Sequence, residues 1–460
     1  MLPSTFIDSL IAAVGPCHVR TDHEARIAYG VDALKRGTPA DVVVLPGSTR
    51  EVSAVATLCN DLRVPLVPRG AGTGYTGGAV PVRGGVVLSL ERLNRIVEID
   101  EANLIAVVEP NVVTGDLQDA VERIGLFYPP DPASLRQSSI GGNVAECAGG
   151  PRAFKYGTTR HYVLGLEAVL PNGEIIETGG KVVKNVVGYD LTQLLVGSEG
   201  TLAIITKVIL RLVPKPSAQA TLRATFNDVR DAVAAVSGIV RARVVPATIE
   251  LVDGESLDAV AQSLGARTLA QEGTAALLLV EVDGVPAAVE EEAAAVAAAC
   301  RAAGATEVRH AADEAERQDL WRVRRELSLS LRTVAPLKIN HDVVVPKGRI
   351  PQLFDLVAGL RAEHGARIPL FGHAGDGNIH VNIMLDPEVP GALDRARAAE
   401  RALFEGVVAL EGAISGEHGI GVSKMPFVPL ELTPVEIALM KRVKEAFDPN
   451  GILNPGKIFP

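Results

Sequence analysis

Between residues 41 and 68 the chain reads DVVVLPGSTREVSAVATLCNDLRVPLVP, two apolar bursts flanking a stretch with apolar residues at every third or fourth position. That rhythm predicts a strand at 41–45, a helix over about 49–62 and a second strand at 64–68. Val52, Val55, Cys59 and Leu62 recur at helical spacing, and Ser48 with Glu51 has the spacing of a capping box. The three elements make a βαβ unit that runs into a glycine-rich loop. Further short runs rich in β-branched residues, VVLSL, RIVEID and LIAVVEP, predict neighbouring strands, and GDLQDAVERIG predicts a helix. Residues 161–179 carry a hairpin signal with Pro171, Asn172 and Gly173 as its turn.

The texture changes after TLAIITKVILRL, where Pro214 and Pro216 stop a strand. Beyond them ATLRATF, ATIELV and ALLLVEVDG alternate with helical segments, among them one at about 227–240 and the alanine-rich AAVEEEAAAVAAACRAAG. That alternation predicts an α+β domain with an antiparallel sheet. From Ser415 onward the chain carries glycine, proline and charge without a fresh core. The expected division is therefore 1–216, 217–412, and a C-terminal segment 413–460 that returns to the first domain.

With 460 residues, 47% of them hydrophobic, the chain exceeds what one core accommodates. Its formal charge of −10 disfavours nucleic acid or anionic membrane as the main partner. Cys17, Cys59, Cys147 and Cys300 are scattered without a CxxC pair, so neither a disulfide scaffold nor a zinc ribbon is indicated. The start, MLPSTFIDSLIAAVG, lacks a basic leader region and holds Asp8 within its apolar stretch, which predicts a short amphipathic helix. A cytoplasmic protein is expected, with peripheral attachment to the inner membrane left open.

Two stretches bear chemistry. PRGAGTGYTGG, residues 68–78, formally contains GxGxxG at Gly72, Gly74 and Gly77, but AVPVRGG follows where a dinucleotide-binding helix would have to begin. What remains is either a glycine corner or a nest of inward backbone N–H groups able to hold a pyrophosphate. Arg69 would assist the anion or brace the turn. The second stretch, FGHAGDGNIHVN, sets His373 and His380 on either side of the turn Gly375–Asn378, with His380 and Asn382 alternating on one face of a strand. Such histidines either cap the turn or, joined by a carboxylate such as Glu417 in SGEHGIG, ligate a divalent metal. His418, beside Glu417, is a candidate general base or a hydrogen-bond support for the ligands.

Together PRGAGTGYTGG, SSIGGNVAECAGG with the run to VGSEGTLAIIT, FGHAGDGNIHVN, SGEHGIGVSK and FDPNGILNPGKI resemble the FAD-linked D-2-hydroxyacid dehydrogenases, the group of glycolate oxidase and FAD-dependent D-lactate dehydrogenase. The resemblance implies a two-subdomain FAD-binding domain of the vanillyl-alcohol-oxidase type plus an α+β substrate domain. It implies that Pro68, Arg69, Gly70, Ala71, Gly72, Thr73, Gly74, Thr76, Gly77 and Gly78 cradle FAD. Pro130, Asp131, Ser134, Gly141, Gly142, Asn143, Gly149, Tyr156 and Gly157 would line the cofactor, Gly200 and Ile204 would flank the flavin, and Asn454 would close over it. No histidine lies within 69–78, so bound, non-covalent FAD is expected. The resemblance assigns His373, His380 and Glu417 to a Zn, Mn or Fe ion, His418 to base catalysis, and Arg324, Ser328 and Asn382 to substrate. Some relatives place a substrate-contacting lysine where this chain has Asn340; Lys338 stands two residues earlier. Lys184 and Lys338 receive no role. The implied reaction is oxidation of D-lactate or glycolate, with a quinone or protein taking the electrons. A homodimer or a place in an oxidase complex is left open, and the alternatives are a non-catalytic FAD-binding subunit or a non-redox flavoenzyme of the same fold.

Overall fold

The computed structural model describes residues 2–35, 37–264 and 273–460. The chain forms two compact units, one of residues 1–149, 158–215 and 417–460, the other of 150–157 and 216–416.

In the first unit one sheet holds β1 (Val19–Arg20), β2 (Val42–Val44), β3 (Leu66–Arg69) and β4 (Val86–Ser89) in the order β1-β2-β4-β3. The predicted βαβ unit is present, but β4 inserts between its two strands and pairs in parallel with both. Helix α1 (Thr49–Leu62) connects β2 to β3 and buries Val52, Val55, Ala56 and Cys59 in the core. Leu62, expected on that stripe, is 58% exposed, because the helix ends there at Arg63 in a left-handed conformation. Only half of the capping box forms. The Ser48 hydroxyl accepts from the Glu51 N–H, while the Glu51 carboxylate reaches past Ser48 to the N–H of Gly47. The amphipathic N-terminal helix spans Ser4–Val14 and buries Phe6, Leu10 and Val14.

A second, antiparallel sheet contains β5 (Ile96–Asp100), β6 (Ile105–Val108), β7 (Val163–Val169), β8 (Ile175–Gly179) and β9 (Ile204–Arg211), ordered β5-β6-β9-β7-β8. The hairpin β7–β8 is the one signalled by Pro171–Gly173. The C-terminal segment rejoins this unit along β3, where Leu453 bridges Leu66.

The second unit is one antiparallel seven-stranded sheet: β10 (Ala218–Phe226), β11 (Thr248–Asp253), β12 (Ala276–Gly284), β13 (Glu307–His310), β14 (Leu337–Val344), β15 (Leu370–His373) and β16 (Asn378–Leu385). The order is β13-β10-β12-β11-β15-β16-β14. Strand residues alternate between faces, so the register fixes what shares a face. Glu250 pairs with His373 and Val252 with Phe371; Phe371 pairs with His380; His380 pairs with Asp342 and Asn382 with Asn340. Val252, Phe371 and Met384 on this face pack with α2 (Gly254–Leu264) and α3 (Glu314–Ser330) in one apolar cluster. Residues 150–157, read from sequence as part of the first domain, group with this unit, where Lys155 and Tyr156 both hydrogen-bond to Asp283 of β12. No helix among the described residues is long and apolar enough to cross a membrane.

Candidate functional site

The glycine loop leaves β3 at Arg69 and is shaped by what lies beneath it. Gly72 has φ +70°, and a Cβ there would stand 2.2 Å from the Arg69 guanidinium. Glycine is thus favoured by the backbone conformation, and a larger residue would also push the guanidinium aside. Arg69 braces the turn: it donates to the Val31 carbonyl at 2.7 Å and lies over the Tyr29 ring. Burial lowers its pKa. The amides of Gly72, Thr73 and Gly74 donate to no protein acceptor among the described residues. Three successive unbonded N–H groups are what a pyrophosphate-binding nest presents, so the loop fits FAD.

Ser139, which the motif reading passed over, ties this loop to the helix Ile140–Glu146. Its hydroxyl accepts from the N–H of both Ala71 and Gly142. A Cβ on Gly70 would lie 2.4 Å from that hydroxyl, so the two segments touch. Gly141 donates to the Pro110 carbonyl, and the Asn143 amide donates to Thr114 at 2.6 Å. The Pro130 carbonyl accepts from Gln118, and Ser134 accepts from the N–H groups of Gln137 and Ser138. Thr76 anchors the returning tail: its carbonyl accepts from Val422 and Ser423, and its hydroxyl donates to the His418 carbonyl. Asn454 donates to the carbonyls of Gly78 and Glu199, stitching three segments together. Gly200 backs onto Pro68, whereas Ile204 is packed in the hydrophobic core of the unit. Tyr156 and Gly157 stand with the second unit, where the Tyr156 hydroxyl donates to Asp283 at 2.8 Å.

On the second unit, the turn between β15 and β16 brings the two imidazoles together, with ring centroids 5.4 Å apart. Glu250 of β11, missed in the sequence, stands behind them. It is fully buried, 2.5 Å from His373 Nδ1, and is paired with Arg324 of α3. Burial alone would raise its pKa, but Arg324 and His373 outweigh that and hold it at about 2. A carboxylate on Nδ1 fixes the tautomer that directs Nε2 towards a ligand. The signal for Glu250 was present as a lone acid inside the apolar strand ATIELV, but nothing local linked it to a histidine 123 residues away.

Arg324, expected at the substrate, is paired here with Glu250. Its Nε and one terminal nitrogen are both engaged with Glu250, and the residue is 9% exposed over the Phe371 ring. Arg324, Glu250 and His373 thus form one chain of contacts. Ser328, one helical turn on, accepts from Lys338 at 2.6 Å. Asn382 is buried, with its oxygen accepting from Asn340 and its amide donating to Pro369 and His380 carbonyls.

Glu417 is the first residue past the second unit. Its predecessor Gly416 is pinned to β14, donating to Asp342 at 2.9 Å, and passes so close to Asn378 that a Cβ would lie 2.2 Å from the Asn378 amide nitrogen. His373, His380 and Glu417 each offer a ligand atom, all within 4.8 Å of one another. Beside them Asn378 Oδ1 is buried without a hydrogen-bond partner among the described residues. Two nitrogens, one carboxylate and an orphaned acceptor fit a divalent metal and what it would bind. His418 Nε2 lies 3.7 Å from Glu417 Oε1, with its ring 5.2 Å from that of Tyr75.

Comparison with known proteins agrees with this architecture. A family model described as "FAD binding domain" matches residues 40–179, and one described as "FAD linked oxidases, C-terminal domain" matches 215–458. The glycolate oxidase subunit GlcD of Bacillus subtilis is 42% identical over 462 residues, covering 100% of this chain and 97% of the relative. A D-lactate dehydrogenase of Anaerostipes hadrus is 38% identical, covering 91% of this chain and 89% of its own. The crystal structure of p-cresol methylhydroxylase superposes with a TM-score of 0.83 at 18% identity, over 99% of this chain and 96% of that one. The fold is accordingly of the vanillyl-alcohol-oxidase type.

Proposed function

The chain belongs to the FAD-linked oxidases, and from that premise we propose that it oxidises a small D-2-hydroxy acid to the 2-oxo acid. D-lactate and glycolate are the leading substrates, by analogy with the relatives' names. The observation that carries the reading is the gathering of His373, His380 and Glu417, with Glu250 behind His373. A protein that only bound flavin would have no chemical need for that set.

FAD would be held non-covalently by the amides of Gly72–Gly74, and a divalent metal by His373, His380 and Glu417. When bound, FAD supplies a hydride acceptor and the metal supplies the positive charge that makes a chelated hydroxyl acidic. His418, beside Glu417, would take the hydroxyl proton. Glu250 and Arg324 keep the His373 ring oriented. Asn378 Oδ1 would be free to accept from a donor on a bound ligand.

Two relatives are named as oxidase subunits, and this favours electrons leaving to a partner protein or quinone. Anaerobic addition of D-lactate or glycolate to the purified holoprotein should bleach the flavin absorbance. Chelation should abolish the bleaching and added metal restore it. An unchanged spectrum with every 2-hydroxy acid tried would overturn the reading.

A further inference from the structure

Glu199 is a buried acid in a backbone conformation that glutamate seldom adopts. Its φ is +51°, in the left-handed region. Such strain persists only where the surroundings over-determine the position, and it gathers at functional sites. The carboxylate faces the returning tail, where Oε1 accepts from the Ile420 N–H and Oε2 from the Gly421 N–H, both at 2.7 Å. Gly421 also has φ +51°, and a Cβ there would stand 2.3 Å from the Thr76 carbonyl oxygen, so the tail turns tightly against the glycine loop. Two successive amides turned to one acceptor make an anion nest. The nest at Gly72–Gly74 has no protein acceptor, whereas this one is filled by the chain's own carboxylate. Burial raises the Glu199 pKa, while the two amides and the charges of the buried Lys424 and Lys457 act in the other direction. Each oxygen takes an N–H, which is the bonding of an ionised carboxylate.

What this clamp holds is the stretch that bears the candidate chemistry, SGEHGIG, in which Ile420 and Gly421 follow directly on Glu417, His418 and Gly419. A stretch so rich in glycine has many conformations open to it and needs anchors to keep one. Gly416 is pinned by Asp342 on one flank of Glu417, and the Thr76 hydroxyl holds the His418 carbonyl. Glu199 supplies the anchor on the other flank. We propose that Glu199 is a positioning residue, whose carboxylate fixes the backbone after Glu417 and His418 so that Glu417 reaches the histidine pair and His418 stays beside it. This rests on the proposed function and deepens the account of its site. Glu199 acts there through two backbone amides and touches no ligand itself.

The test compares wild type with Glu199→Gln as metal-stripped, flavin-loaded protein, reading zinc affinity by competition with a chelator and flavin content from absorbance. Gln keeps the length of the side chain and one accepting oxygen, but its NH2 group meets the second amide as donor against donor. Zinc affinity should fall about tenfold or more, the value of one charge-assisted hydrogen bond, with flavin content unchanged. A residue serving the fold alone would lower the urea midpoint and leave zinc affinity where it was, and that result would overturn the proposal. Should Glu199→Gln not fold, amide exchange on wild type decides. Coupling between two sites is reciprocal, so zinc should slow exchange of the Ile420 and Gly421 amides; exchange indifferent to zinc would overturn the clamp. Flavin bleaching by D-lactate or glycolate, with equal zinc affinity in the variant, would sink this inference and leave the proposed function standing. A tenfold loss of zinc affinity in a protein that no 2-hydroxy acid bleaches would do the reverse.

Discussion

Replacing Glu250 with Gln separates two tasks that this carboxylate performs. Gln keeps an oxygen to accept from His373 Nδ1 but removes the charge facing Arg324. Glu250 is 0% exposed and the Arg324 side chain 11%, so the guanidinium would be left buried and uncompensated. Breaking a buried pair from one side costs about 3–5 kcal/mol. Weakening the support behind a histidine ligand lowers metal affinity by about 10–100-fold, or about 1.4–2.7 kcal/mol. The double variant Glu250→Gln/Arg324→Met distinguishes them. Removing both charges should restore most of the stability, since an apolar replacement of a buried pair is often close to neutral, but it should not restore the metal affinity. Urea denaturation of the metal-free protein measures the first quantity, and competition with a chelator the second. If the double variant regains metal affinity in step with stability, Glu250 serves the fold alone and the account of His373 is wrong.

Three further outcomes follow from individual contacts. Gly72→Ala would drive a Cβ to 2.2 Å from the Arg69 guanidinium at φ +70°, so the purified protein should carry less flavin per chain, read from the ratio of flavin to protein absorbance; full occupancy would argue against the loop as a cradle. Gly416→Ala would meet Asn378 at 2.2 Å and displace Glu417, weakening metal binding while leaving flavin content intact. Lys338→Met should be more stable than wild type at neutral pH. Burial holds the folded-state pKa at about 8, below the ordinary lysine value of 10.5, so wild type gains stability as pH rises through that window and the advantage of the variant, at most about 3 kcal/mol, should shrink. Thermal midpoints at pH 7 and pH 10 test the sign.

Much of this molecule is written in local pattern. Alternation and 3.6-residue spacing placed α1, the β7–β8 hairpin and the strands of the second sheet, because those periods reflect one buried face of one element. The half-formed cap at Ser48 and the exposed Leu62 show where local pattern stops, at helix ends whose partners lie in other segments. His373 and His380 were legible for the same local reason: a short turn between two strands brings side chains seven residues apart into contact. Strand order was not legible. Nothing in residues 86–89 says that they insert between β2 and β3, since parallel neighbours are chosen by how the layers pack. Nor could sequence reveal that Arg324 is engaged by Glu250, that Ser139 holds the glycine loop, or that Lys338 is bonded to Ser328. Each of these is a statement about which charges and donors find partners across long stretches of chain, and only the folded register, by burying some and pairing others, decides it.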